Sequence, residues 1–221
     1  MSDVMAISRL RMGTDGNGVT TLVAFHGCSL ECAYCVNQHC HDRCLLRADY
    51  TAEELIQTLE KDAPYFLMTG GGVAFGGGEP LLQAEFIHEV CSKMEGAWKK
   101  TIETSLYVDW QKVELILEDI DYWYVDVKDF DASTYKEYTG RENDIVIENL
   151  KRLVETVPSE KICIRVPYIP GYNTKEHQIE EMEYIREHIS SEVEIDAFEY
   201  IKTYYRKEND DHTWDGEIPL F

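Results

Sequence analysis

Apolar residues along this chain fall into short β-forming runs that alternate with stretches of helical spacing. Residues 19–25 alternate loosely and are rich in β-formers, which predicts a strand. Thr51-Ala-Glu-Glu54 reads as a capping box, and Leu55, Ile56 and Leu59 supply the apolar stripe of the helix it opens. Residues 72–75 predict a short strand running into a glycine-rich turn, after which Leu81, Phe86, Val90 and Met94 sit at helical spacing. Further strands are predicted at 100–104, 122–127, 162–166 and 193–200, and helices at 110–117, 132–138, 145–157 and 179–189. Roughly six strand–helix alternations argue for an α/β fold, a parallel sheet with helices outside. Short right-handed connections leave either a barrel or an open doubly wound sheet.

No internal repeat or linker interrupts the 221 residues, so a single domain over 1–221 is expected. The polar tail at about 205–221, with Trp214 and Pro219, is expected to wrap the surface or cover a pocket. Lys and Arg total 21 against 42 Asp and Glu, a formal charge of −21. A nucleic-acid track needs clustered cations and none is present, so no nucleic-acid partner is expected; the acidic stretches read as solvated helix surface. Neither a bilayer-length apolar run nor a basic segment followed by an apolar one occurs, so a cytoplasmic chain without membrane contact is expected.

Chemistry enters with the cysteines. Five of the seven (Cys28, Cys32, Cys35, Cys40, Cys44) fall in one short stretch, a density that favours metal over disulfides in a cytosolic chain. Cys28-Ser-Leu-Glu-Cys32-Ala-Tyr-Cys35 has the spacing C-x3-C-x2-C. Three thiolates on one loop can hold three irons of a 4Fe–4S cubane and leave the fourth iron open to a chelating substrate. On spacing alone a zinc site drawing on Cys40, Cys44, His39 or His41, or a set of buried free thiols, stays open.

The cysteine pattern, with Tyr34 just before its third member, resembles the radical S-adenosylmethionine superfamily. Asp15-Gly16-Asn-Gly18, Phe25-His-Gly27-Cys28 and Cys35-Val-Asn37 resemble one branch in particular, the activating enzymes of glycyl radical enzymes. The chain departs from that branch at Thr20, where Arg is usual, at Ala24, where Phe is usual, and at Ile201, where some relatives place a ribose-contacting His. The stretch between Asn37 and Thr51 is too short for the ferredoxin-like insert of many relatives. Cys40 and Cys44 are left as reduced thiols, a zinc pair with His39 or His41, or structural filler.

The resemblance implies a partial (β/α)6 barrel with one 4Fe–4S cluster on Cys28, Cys32 and Cys35. It also implies reductive cleavage of S-adenosylmethionine by an electron from a flavodoxin or ferredoxin, in an oxygen-free setting. The resulting 5′-deoxyadenosyl radical would take hydrogen from a glycine of a partner enzyme, and the chain is expected to work as a monomer. The turn Gly76-Gly77-Gly78-Glu79-Pro80 resembles the segment that contacts the methionine amino group, with Gly77 and Gly78 at the contact and Glu79 as an anionic acceptor. Asp126-Val-Lys128 resembles an Asp-Leu-Lys run, so Lys128 is expected on the methionine carboxylate. Glu103-Thr104, with Asp126, is expected to hold a monovalent cation near that carboxylate. Tyr34 and Val36 are expected to flank the adenine. No catalytic side chain is expected beyond this cofactor shell, since hydrogen-atom abstraction needs no general acid or base.

Two other functions remain: radical modification of a ribosomal peptide or of a small molecule such as a deazapurine precursor, and a non-enzymatic zinc or iron–sulfur scaffold or electron carrier. The histidines His88, His177, His188 and His212 are expected to be surface or capping residues.

Overall fold

The computed structural model describes residues 2–42 and 48–200. Its eight strands are β1 (Ser2–Met12), β2 (Val19–Phe25), β3 (Ala48–Tyr50), β4 (Gly72–Gly77), β5 (Lys99–Thr104), β6 (Tyr122–Asp126), β7 (Ile162–Tyr168) and β8 (Glu194–Glu199). They form one sheet in the order β3-β1-β2-β4-β5-β6-β7-β8. From β2 to β8 all pairings are parallel, whereas β1 is antiparallel to both β2 and β3. The parallel strands lie in chain order. Right-handed crossovers between strands in chain order put every helix on the same face, whereas a doubly wound sheet must reverse its order. The sheet is therefore the arc of a partial barrel, with helices outside and a second face turned inward.

The helices are α1 (Ala52–Leu59), α2 (Ala63–Thr69), α3 (Ala84–Lys93), α4 (Trp110–Leu115), α5 (Ala132–Thr139), α6 (Asp144–Thr156) and α7 (Lys175–His188). The capping box at Thr51 and Glu54 is present. The sequence pattern did not reveal β1 or β3. Register shifts between Val4 and Ala6 and between Ser8 and Arg11 break the alternation of β1. It also missed α2, a helix with a proline in its first turn and Gly70 as its left-handed cap at φ 71°.

Strand parity sorts the two faces. Val23, Phe25, Val73, Phe75, Ile102, Trp123, Val125, Ile162, Ile164 and Val166 belong to the core beneath the helices. The alternate positions of β5, β6 and β7 carry Thr101, Glu103, Tyr124, Asp126 and Arg165, so the inner face is polar and charged. The N-terminal end of that face is crossed by the loop after β1. Thr101 Oγ1 donates to Asp15 O at 2.8 Å and Arg165 Nη2 to Thr14 O at 3.1 Å. That leaves the C-terminal strand ends for a site.

Candidate functional site

The cysteine loop leaves β2 and is tied down on both sides. Gly78 N donates to Phe25 O at 2.9 Å and Glu79 N to Gly27 O at 2.7 Å, stitching the turn after β4 to the start of the loop. Asn37 Nδ2 donates to Gly77 O at 2.7 Å, so the Asn of Cys35-Val-Asn37 is a strut between the loop and β4. Glu31 N and Ala33 N donate to Thr139 O and Tyr138 O, each at 3.0 Å, fastening the other side to the end of α5.

Cys28, Cys32 and Cys35 are half-buried free thiols on this loop, and Cys40 is buried beside them. Burial pushes the Cys28 thiol up to about 11 and the Cys32 thiol up to about 12. Cys35 moves the other way, chiefly because the Cys40 thiol donates a hydrogen bond to its sulfur; the same bond, with burial, pushes Cys40 up. The one set of His, Cys, Asp or Glu ligand atoms all within 4.8 Å of one another, among the described residues, lies elsewhere, at Asp129, His177 and Glu181. Cys44 lies outside the described residues.

The glycine turn is shaped by backbone crowding. A Cβ on Gly78 would fall 2.1 Å from Gly27 O, and Gly77, at φ +97°, would place one 2.7 Å from Phe25 N. Ala24 is part of the same crowding, 2.8 Å from that Gly77 Cβ position. Glu79 is 1% exposed. Its Oε1 accepts from Thr104 Oγ1 at 2.6 Å and Leu81 N at 3.2 Å, and its Oε2 from Ser105 Oγ at 2.6 Å and Ser105 N at 3.0 Å. Expected as an acceptor for an ammonium group, the carboxylate is instead engaged by four protein donors and anchors the turn.

The expected Glu103–Thr104 pair is divided by strand parity. Thr104 faces Glu79, while Glu103 lies on the inner face and accepts from Arg165 Nη1 at 3.1 Å. Burial pushes the Glu103 carboxyl up, and the Arg165 charge opposes it. Arg165 also lies over the Tyr124 ring, 4.3 Å from Cζ to centroid. Nothing in the sequence reading singled it out, although a charge in the middle of Ile162-Cys-Ile-Arg-Val was a usable signal, since parallel strands covered on both faces are apolar. Lys128 and Asp126 do come together as an ion pair. Burial works against the Lys128 ammonium, but Asp126 and Cys32 outweigh it and its pKa is raised. The second oxygen, Asp126 Oδ1, is buried without a hydrogen-bond partner, an acceptor left for a ligand donor or a cation.

Tyr34 sits among tyrosines, with ring centroids 6.2 Å from Tyr138, 5.5 Å from Tyr172 and 6.5 Å from Tyr200. Val36 is 58% exposed. The unusual Thr20 is explained by its neighbour in register: Arg11 on β1 stands opposite it and makes the ion pair with Asp15. Of the histidines, His88 and His188 are exposed as expected, whereas His177 is drawn into contact with Asp129 at 3.0 Å. Ile201, His212 and the tail at 205–221 lie outside the described residues.

A family model described as the Radical SAM superfamily matches residues 22–182. The 4-hydroxyphenylacetate decarboxylase activating enzyme of Clostridioides difficile is 36% identical over 158 residues, 68% of this chain and 50% of that protein. The (2S)-3-sulfopropanediol dehydratase activating enzyme of Klebsiella oxytoca is 38% identical over 124 residues, 56% of this chain and 38% of that protein. This chain thus spans about half or less of the length of the curated relatives it matches. In fold it is similar to Streptococcus suis SuiB, with a TM-score of 0.63 at 20% identity over 86% of this chain and 42% of that one. With its family match running through the cysteine loop, the glycine turn and the Lys128 strand end, the chain belongs to the radical S-adenosylmethionine superfamily.

Proposed function

We propose that the chain binds one 4Fe–4S cluster through Cys28, Cys32 and Cys35 and S-adenosylmethionine beside it, and that it installs a glycyl radical on a partner enzyme. The carrying observation is a loop of three half-buried thiols, with the Lys128 ammonium of the Lys128–Asp126 pair close enough to favour their ionised form. The donor set fits. Thiols held at about 11 and 12 by burial need positive charge to become thiolates, which iron would supply and the Lys128 ammonium assist. Cys40, donating to Cys35, supports a ligand and is not counted as one. When bound, the cluster would supply one-electron reduction of S-adenosylmethionine to methionine and a 5′-deoxyadenosyl radical, the electron coming from a flavodoxin or ferredoxin.

The chain's own residues orient the cofactor. Lys128 pairs with the methionine carboxylate while Asp126 keeps its ammonium charged. The Gly77–Gly78 backbone meets the amino group, on a turn that Glu79 and Asn37 hold rigid. Tyr34 and Val36 border the adenine. A monovalent cation beside the carboxylate would rest on Asp126 Oδ1 and Glu103, with the Thr104 side chain turned away. The names of the curated relatives, activating enzymes of a decarboxylase and a dehydratase, support the glycyl-radical reading. The chain is taken to act as a cytoplasmic monomer.

Anaerobic reconstitution should give about four irons per chain. Dithionite with S-adenosylmethionine should then release 5′-deoxyadenosine, and a candidate partner should acquire a glycyl signal in electron paramagnetic resonance. No 5′-deoxyadenosine would reduce the chain to a scaffold. Turnover without a glycyl signal would move the substrate to a peptide or small molecule.

A further inference from the structure

Away from the cysteine loop, Asp129, His177 and Glu181 each bring one ligand atom to within 4.8 Å of the others. Asp129 lies in the loop from β6 to α5. His177 and Glu181 are four residues apart in the first half of α7, on one helix face. Asp129 is fully buried and Glu181 is 3% exposed, with half-exposed His177 on the outer side. His177 Nε2 lies 3.0 Å from Asp129 Oδ1 and 3.9 Å from Glu181 Oε1.

Protein donors satisfy only part of this group. Asp131 N reaches Asp129 Oδ1 at 2.9 Å, Asn173 Nδ2 reaches Asp129 Oδ2 at 3.3 Å, and Phe130 N reaches Glu181 Oε1 at 2.5 Å. Glu181 Oε2 is buried and has no donor. Two adjacent carboxylates out of water do not both stay charged unless a cation or a shared proton lies between them. Among the described residues no Lys or Arg makes an ion pair with either carboxylate; the side chain recorded beside both is His177, a cation only when protonated. Burial, the Asp129 charge and a side-chain hydrogen bond with Asp129 all push the Glu181 carboxyl up.

A proton alone would satisfy the two carboxylates without the imidazole. The third group makes the set one nitrogen and two oxygens, which suits a divalent ion of the manganese, iron or zinc type. We propose that Asp129, His177 and Glu181 form a divalent-cation site, separate from the cysteine loop, that clips α7 to the loop following Lys128. It does not depend on the function proposed above, because none of the three residues belongs to the cysteine loop, the glycine turn or the inner face.

Manganese is the probe of choice, since thiolates favour softer ions and a loaded cluster already occupies the loop cysteines. Protein whose loop cysteines are loaded with iron, or alkylated if they take up none, should on anaerobic titration with Mn²⁺ remove one equivalent from the free-ion paramagnetic signal and melt a few degrees higher. His177→Gln and Glu181→Gln should each weaken that binding at least tenfold and abolish the melting shift, while iron content and the optical spectrum of the cluster stay unchanged. His177→Gln is the safer variant for folding because that side chain is partly exposed. Manganese uptake unaffected by either substitution, or absent from the wild type, would overturn the site. A Glu181→Gln protein that melts above the metal-free wild type, with no manganese bound by either, would assign the pair a shared proton instead.

Discussion

Thr104 donates its hydroxyl to Glu79 at 2.6 Å, joining the end of β5 to the turn after β4. With Ser105 and Leu81 completing the donor set, the glutamate of the glycine turn becomes a fixed internal anchor. Glu79→Gln would turn an amide NH2 toward hydroxyl and amide donors. The expected cost is about 2–3 kcal/mol of unfolding free energy. Urea unfolding of the apoprotein measures it, and wild-type stability in the variant would show that the anchor contributes nothing.

Gly78 and Gly70 should respond differently to alanine. At Gly78 a Cβ would collide with Gly27 O at 2.1 Å, so the start of the cysteine loop must move, with a loss above roughly 3 kcal/mol and poor iron uptake. Gly70 has open space around it but a φ of +71°, so only backbone strain of about 1 kcal/mol is expected. Comparable melting temperatures for the two variants would contradict the crowding argument.

Cys40 tests the count of ligands. Cys28→Ser, Cys32→Ser and Cys35→Ser should each lose most of the reconstituted iron, whereas Cys40→Ala should retain it. Iron loss in the Cys40 variant equal to that of the others would favour four-thiolate ligation, and with it a closed cluster.

Lys128→Met removes the ammonium that Asp126 holds on the inner face. Affinity for S-adenosylmethionine, measured by equilibrium binding to the cluster-loaded protein, should fall roughly 30-fold or more, the equivalent of about 2 kcal/mol. Unchanged affinity would remove Lys128 from the carboxylate contact.

Asp62, between α1 and α2, provides a pH test remote from the site. Its buried carboxylate accepts from Arg9 Nε at 3.0 Å and from Thr21 Oγ1 at 2.7 Å. Burial opposes its charge, but Arg9 and Thr21 outweigh burial and hold the carboxyl below its ordinary value. A lowered folded-state pKa contributes stability above the unfolded value of about 3.9, and that stability is lost as pH falls further. Asp62→Asn should therefore cost about 1–3 kcal/mol at pH 7, with the deficit closing below roughly pH 4. A deficit independent of pH would mean that charge plays no part.

The local series of elements was legible because each parallel strand and outer helix carries its own period. The cysteine spacing, the glycine turn and the Asp126-Val-Lys128 run were legible because each is short and contiguous. The pairing of Arg165 with Glu103, the role of Arg11 opposite Thr20, and the Asp129–His177–Glu181 group were not, since each joins residues from different elements.

What the sequence by itself determined is the alternating α/β order, the three-cysteine loop and the family resemblance, all of which depend on neighbours along the chain. The partial barrel was implied by that resemblance, whereas only the tertiary structure decided that Glu103 and Thr104 face opposite ways and that Glu79 is saturated by protein donors. The physical reason is that strand order, facing and hydrogen-bond saturation are set by contacts between segments distant in sequence, and one step along a strand moves a side chain from the polar interior to the apolar core.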